Sequence, residues 1–353
     1  LPQQGILLGY DIVFAFTAEA DGDAAADDTF LANIASIWRS FTVRVAGETI
    51  QYLPQYGLLQ VQEDNIKHDK SYRDSWGVIA QGFTALSASG TATRYAMRLC
   101  PGTVLDNVLP LYKMGQVEVE FELNQTLGEY TGATTAVTEV DITNMQLKCP
   151  IVESGELRNE FNGDVALHFN NWTHYRDTSL LSGATSHTTV VPTNDKSVSG
   201  VLVMQRNQAD VNDPNSGLEK MQHAMLTNTL TKLSFTLDGE QYPKRSIDCT
   251  NQVELYNYLL EYGGHKRGDK WTAPAFFDGD YDTATDGIFI IAFPFNGLTG
   301  SSAASGLDTS KSSSQLQVNF EAMNASDNTQ IDVFVRSDKV LHIDSSGYVK
   351  VSK

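Results

Sequence analysis

Hydrophobic and polar residues alternate along much of this chain with the two-residue period of half-buried β-strands, and that period predicts most of its elements. The cleanest case is PLYKMGQVEVEFELN (Pro110–Asn124). Val117, Val119, Phe121 and Leu123 fall on one side and Glu118, Glu120 and Glu122 on the other, so one face is expected to be buried and the other wet. Ile6–Ala20 predicts a β segment with Val13, Phe14 and Phe16 as its bulky positions. The acidic loop DGDAAADD (Asp21–Asp28) interrupts it before a second strand region that runs through Ile37 and Trp38 to Val45. A further strand is expected in Thr138–Val152. The β pattern resumes in Asp164–Asp177, Thr188–Val191 and Ser197–Arg206, and then in Gly287–Phe295 and two closing strands, Gln315–Met323 and Gln330–Ile343.

Helical spacing is sparse. Pro54 and Gly57 break the strand pattern, and Leu58, Leu59, Val61 and Ile66 then predict one side of a short helix. Asn251–Tyr262 is the strongest helical stretch, with Val253, Tyr256, Leu259 and Leu260 expected on one side and Gly263-Gly264 as its stop. A short helix is also expected around Met221–Leu226, after the polar NDPNSG connection. Many strands, few helices and long polar insertions describe an antiparallel sandwich or jelly roll rather than an α/β enzyme.

The chain repeats itself. SFTVRVAGETIQYLP (Ser40–Pro54) and KLSFTLDGEQYP (Lys232–Pro243) each read as strand, Gly-containing turn and proline, followed by helical spacing, and their turns lie about 190 residues apart. A spacing of about 190 residues far exceeds the roughly 20 to 50 of solenoids and propellers, so it points to two copies of a whole domain. The first copy is expected to close near Pro150, which gives domains 1–152 and 153–353. Gly47 and Gly239 are expected to serve the tight turns, and Pro54 and Pro243 to fix the chain between strand and helix; none of the four is assigned chemistry.

Composition adds limits. With 41% hydrophobic and 19% charged residues, 353 residues form an ordered chain able to bury two cores. The 43 acidic against 25 basic residues, a formal charge of -18, oppose general attraction to nucleic acid or an anionic bilayer, and no sequence-specific nucleic-acid binding is expected. Cys100, Cys149 and Cys249 share no metal-ligand spacing and are expected to be buried thiols. No run has the roughly 18 apolar residues a membrane helix needs. Because the chain opens at Leu1, a preceding segment is expected.

Dinucleotide, P-loop, zincin and nucleophile-elbow motifs are missing from the sequence. His168 and His174 fall on one predicted strand, but six residues of extended chain put them about 20 Å apart, too far to share a metal. In DGDYDTATDG (Asp278–Gly287), Asp278, Asp280, Asp282 and Asp286 imitate a calcium loop without its central glycine or closing glutamate, so a solvated acidic loop is expected. The VEVEFE glutamates have no second strand to pair with as glycosidase carboxylates. Trp38, Trp76, Trp172 and Trp271 are dispersed, which favours core packing and subunit contacts over a sugar groove. Asn124, Asn171 and Asn324 fit the glycosylation acceptor pattern, read here as chance. No cofactor or metal is expected, and the chain is not read as an enzyme.

The duplicated unit, FTVRVAGETIQYLP and LSFTLDGEQYP each leading into a helix, resembles the major capsid proteins of the double jelly-roll lineage. Further likeness lies in LPLYKMGQVEVEFELN with VDITNMQLKCPIVE, similar to the close of a first jelly roll, and in LQVNFEA with NTQIDVFVRSDKVLHID, similar to the end of a second. The lineage includes coat proteins of tailless, often membrane-containing double-stranded DNA bacteriophages, with relatives in virophages, large eukaryotic DNA viruses and adenovirus; a bacteriophage is the expected source. The resemblance implies an all-β fold of two tandem eight-stranded antiparallel jelly rolls with short helical insertions, the first strand being short or absent. It also implies a homotrimeric, pseudo-hexagonal capsomer that tiles an icosahedral virion beside neighbouring capsomers, penton and minor capsid proteins. Any internal-membrane contact would come from an N-terminal segment outside this sequence. The main alternative from the residues is a secreted carbohydrate-binding or carbohydrate-active β-sandwich, and a third reading is a virion spike.

Overall fold

The computed structural model describes residues 1–9, 12–22, 34–67, 75–76, 92–99, 102–124, 137–212, 230–263, 291–295, 306–310, 315–325 and 327–352. The first half of the chain holds β1 (Ile6–Leu7), β2 (Val13–Gly22), β3 (Trp38–Val45), β4 (Glu48–Pro54), α1 (Tyr56–Lys67), β5 (Thr93–Arg98), β6 (Val117–Leu123), β7 (Val137–Lys148) and β8 (Ile151–Val152). After α2 (Gly155–Glu160) come β9 (Val165–Leu180), β10 (His187–Val191), β11 (Val198–Asn207), α3 (Gln208–Asn212), β12 (Lys232–Leu237) and β13 (Glu240–Asp248). The chain continues through α4 (Gln252–Gly263), β14 (Ile291–Pro294), β15 (Leu316–Glu321), β16 (Thr329–Ile343) and β17 (Val349–Ser352). Every registered strand pair is antiparallel.

The chain divides into two compact units. One comprises Leu1–Glu63, Ser75–Trp172 and Asp338–Lys353, and the other Asp64–Asp74 and Thr173–Ser337. The first unit carries two three-stranded sheets, β5-β2-β7 and β4-β3-β6, with the short β1-β8 pair beside them. Aromatic side chains join the two sheets. Phe14 of β2 stacks on Phe121 of β6 at 4.4 Å, and Trp38 of β3 meets Phe16 edge-on at 5.4 Å. Phe41 sits within 5.2 Å of both Phe121 and Tyr56, which ties α1 to the same cluster. Rings of this size each bury about 150–250 Å², so this cluster dominates the core of the first unit.

The second unit repeats the plan with the sheets β10-β15-β12-β13 and β14-β11-β16, β9 also pairing with β16; β17 and the end of β16 that it pairs with, Val340–Ile343, belong to the first unit. Here Phe235 of β12 stacks on Phe293 of β14 at 5.2 Å, and Tyr258 of α4 lies 5.1 Å from Phe293. The middle of β16, Ile331, Val333, Phe334 and Val335, is fully buried, as expected of a central strand covered on both faces.

The repeat is visible in backbone geometry. Each copy has a two-residue hairpin loop with both residues at positive φ: Ala46 (50°) and Gly47 (85°) between β3 and β4, Asp238 (50°) and Gly239 (79°) between β12 and β13. That is the primed turn whose twist matches paired strands, and glycine takes the second position without steric cost. A helix follows each hairpin. The copies differ within the second strand: Tyr52 alone opposes Thr42 in β4, whereas four residues, Pro243–Ser246, face Ser234 in β13. Pro54 closes β4 two residues before α1, whereas Pro243, preceded by a cis peptide bond, sits inside β13 nine residues before α4. Lys244 and Arg245 in this insertion have side chains 80% exposed.

Several sequence expectations require correction. The buried side of α4 is Leu255, Leu259 and Tyr262, an i, i+4, i+7 stripe, whereas Val253 in the first turn is 69% exposed. Leu123, read as inward-facing, is 42% exposed at the last position of β6. Helix α1 buries Leu58, Leu59, Val61 and Ile66 as expected, but also Gln60, Gln62, Glu63 and Asp64, so its apolar stripe marks only one of its covered sides. A third closing strand, β17, pairs with the end of β16. The expected Met221–Leu226 helix lies outside the described residues.

Candidate functional site

Among the described residues no cluster of three or more His, Cys, Asp or Glu could hold a metal ion. His168 is exposed on β9, while His174 on the same strand is drawn into a buried cluster. The glutamates of β6 face arginines and hydroxyls of β3: Arg44 donates to Glu120, Ser40 donates to Glu122 at 2.8 Å, and Arg39 lies 3.7 Å from Glu122. They form a wet cross-strand ladder, with no partner carboxylate on a facing strand. Trp38 and Trp172 are buried in the core, and Arg98 covers the Trp76 ring at 5.2 Å. Cys149 and Cys249 are free thiols; burial pushes the Cys249 thiol up to about 12, far from a reactive thiolate. Asn124 is occupied by donating to the Ser36 carbonyl at 2.7 Å, and Asn171 lies inside β9, whereas Asn324 is exposed. The Asp278–Asp286 loop, Trp271, Cys100, His68, His223 and His265 lie outside the described residues.

Polar side chains converge in two other places. Asp332 on β16 is completely buried, and its Oδ2 accepts from Arg206 Nε (2.9 Å) and Nη2 (2.6 Å) and from Gln330 Nε2 (2.9 Å). Its Oδ1 faces His174 Nε2 at 2.7 Å and Arg176 Nε at 3.6 Å. An ionised carboxylate only accepts, so His174 carries its proton on Nε2. Burial pushes the Asp332 carboxyl up, but the Arg206 charge, the His174 hydrogen bond and charge, and the Gln330 hydrogen bond outweigh it and hold it well below the ordinary carboxylate range. The cluster fastens β9, β11 and β16.

The second convergence is at Asp177 on β9. Its Oδ1 accepts from Ser179 N (2.8 Å) and Oγ (2.5 Å), and its Oδ2 from Thr189 Oγ1 (2.8 Å) and His187 Nε2 (2.9 Å). Burial alone would raise its pKa, yet these hydrogen bonds lower it from 3.8 to about 2. A depressed folded-state pKa stabilises the fold above the unfolded value, and the contribution disappears as pH falls through the folded one. The stability difference between the natural chain and Asp177→Asn is therefore expected to be constant above about pH 5 and to shrink steadily from pH 3.8 towards 2. Acid-unfolding curves of both proteins measure it; a gap that persists unchanged at pH 2 would contradict the assignment.

Outward-facing sheet surfaces are the remaining candidates, and the two copies differ there. The outer side of β4-β3-β6 carries Arg39, Arg44, Glu118, Glu120 and Glu122. The matching side of β10-β15-β12-β13 carries uncharged residues in two cross-strand rows, Val190–Gln317–Thr236–Gln241 and Thr188–Asn319–Ser234. Its side chains hold one another: Thr188 Oγ1 donates to Asn319 Oδ1 (3.1 Å) and Asn319 Nδ2 to Thr236 Oγ1 (2.8 Å). At its margin Gln241 Nε2 donates to Ser246 Oγ, while Ser246 and Ser234 donate to Glu321.

Two antiparallel two-sheet units, each with the same hairpin-to-helix segment and no catalytic constellation among the described residues, define a double jelly roll, the fold of viral major capsid proteins. Comparison with solved structures gives particular examples. PBCV-1 VP54, fitted into a reconstruction of the virophage Sputnik, superimposes with a TM-score of 0.69 at 10% identity, over 100% of this chain and 91% of that one. The Sputnik virophage structure gives 0.58 at 12% identity over 100% and 84%, and the mavirus major capsid protein 0.53 at 12% over 100% and 85%. No protein-family model and no curated protein matches the chain.

The sequence expectation of a double jelly roll with short helical insertions is thus met by the architecture. The polar cluster at Asp332 was missed because its members are scattered along the sequence, and the one at Asp177, although confined to Asp177–Thr189, because its residues follow no recognised motif. The alternating polarity of β12 and β15 was the available clue to the uncharged face.

Proposed function

We propose that the protein is a structural major capsid protein that assembles as a homotrimeric, pseudo-hexagonal capsomer and tiles an icosahedral virion shell. The observation that carries this reading is the extent of the fold match, which runs through the whole of this chain and nine-tenths of a capsid protein of the same plan rather than through one jelly roll. On this reading the chain consists of jelly rolls 1–152 and 153–353, with Gly47, Pro54, Gly239 and Pro243 serving its repeated hairpins rather than any reaction. Its partners are further copies of itself, neighbouring capsomers, and penton and minor capsid proteins; its place is the virion, and it is not an enzyme. The source proposed is a tailless double-stranded DNA virus; a bacteriophage is the narrower form of that proposal, since the structures that carry the comparison belong to PBCV-1 and to virophages.

Physical logic supports it: three copies of a duplicated chain present six similar sides, the number needed for hexagonal tiling, and assembly through extended complementary surfaces requires no active site. Light scattering with negative-stain images of the same peak tests this. A particle of three times 38.7 kDa with a hexagonal outline is expected. A stable compact monomer would overturn the capsomer and turn attention to glycan and calcium binding by a carbohydrate-active sandwich.

A further inference from the structure

A chain of formal charge -18 repels its own copies wherever the acidic excess reaches the surface. Self-association therefore favours a surface from which charge has been removed, and depletion of charged residues is what distinguishes the cores of protein interfaces. The outer face of β10-β15-β12-β13 has that property. Seven side chains in two rows across four strands, Val190, Gln317, Thr236, Gln241, Thr188, Asn319 and Ser234, include no ionisable group. Charge returns at the margin, with Glu321, Lys232 and Asp248 in the next row and Lys244 and Arg245 on the insertion that faces Ser234.

Two further observations favour a protein occupant over solvent. Val190 is 47% exposed on β10, the edge strand of this polar face, and Thr188 on the same strand is exposed as well. The Thr188–Asn319–Thr236 hydrogen bonds already fix the rotamers, so docking costs little additional side-chain entropy. The equivalent face of the other copy, built on β3 through the same hairpin, carries five charged side chains. If both faces met only water, duplication would give no reason for one to lose its charges.

We propose that the uncharged outer face of β10-β15-β12-β13 seats an adjoining copy of this chain within the capsomer. The inference rests on the capsomer reading above. A ring of three requires a heterologous contact, so this face meets a different surface on the next copy rather than itself.

The test compares the natural chain with Val190→Asp and Glu118→Gln by light scattering across a dilution series, with circular dichroism to confirm folding. The natural chain and Glu118→Gln are expected to remain trimeric. Val190→Asp should weaken association by at least about tenfold, because a carboxylate buried against an acidic partner is strongly disfavoured. Val190→Cys provides a second readout that does not depend on how Asp is tolerated. Its thiol should react with a maleimide at least about tenfold more slowly in the trimer than after dissociation in mild urea that circular dichroism shows to leave the chain folded. An undiminished trimer in Val190→Asp, or rapid labelling of Cys at this position in the intact trimer, overturns the face assignment and leaves the capsomer standing. A monomeric natural chain overturns both.

Discussion

Replacing Asp332 with Asn should lower the stability of the second unit by about 3–5 kcal/mol, among the largest losses a single substitution can cause here. Asp332 is fully buried and receives donors from Arg206, Gln330 and His174. Asn keeps the shape but turns one acceptor into a donor facing donors, and it removes the charge that Asp332 sets against the buried Arg206 guanidinium. Urea unfolding followed by a probe in the second unit measures the effect; a loss below about 1 kcal/mol would show that water or neighbouring groups already compensate Arg206. The companion experiment replaces both groups. Asp332→Leu with Arg206→Met should recover much of the loss, because an apolar pair of similar volume costs no charge desolvation. The same cluster makes the natural protein acid-sensitive in a defined direction. The Asp332 carboxyl is held below its ordinary range, so its contribution is complete above the unfolded value and lost as pH falls towards the folded one.

Phe41→Ala should cost about 3–5 kcal/mol and loosen α1 from the first unit. Phe41 has no exposed surface and stands 5.2 Å from both Tyr56, the first residue of α1, and Phe121 of β6. Truncation removes the ring that both of these lean on, and a cavity among large aromatic groups cannot collapse fully. Hydrogen exchange should show α1 amides losing protection together with global stability falling. Tyr52→Ala, on the neighbouring strand but 51% exposed, is the matched control and should change stability by no more than about 0.5 kcal/mol. Equal effects at the two positions would mean that the aromatic cluster is not what holds this unit together.

The fold was largely legible because most of its strands are wet on one side. Alternation in VEVEFE located β6, although the expected segment Pro110–Asn124 starts seven residues before the strand does, and the paired AG and DG turns located both hairpins because their backbone demands little else. Helix existence was legible too, but not orientation. Val253 and Leu260 fit a stripe about as well as Leu255 and Tyr262 do, and only packing against the sheet separates them. The ionic cluster could not have been read, since His174 and Arg206 stand 158 and 126 residues from Asp332. Pro243 was misleading for a different reason: the proline motif is shared, but a local insertion moves it from the end of a strand into its middle. The surfaces proposed for assembly were half visible, as polarity without a partner.

That insertion gives the duplicated chain a handle. Pro243–Ser246 adds a knuckle bearing Lys244 and Arg245 to the second hairpin, where the first has only Tyr52. On the proposed reading, a ring of three copies would repeat the hairpin six times but carry the basic knuckle three times, so its six repeats would be chemically of two kinds. A protein that recognises such a ring can tell one setting from another turned by sixty degrees, and a hexagonal tile acquires an orientation that its outline alone does not have.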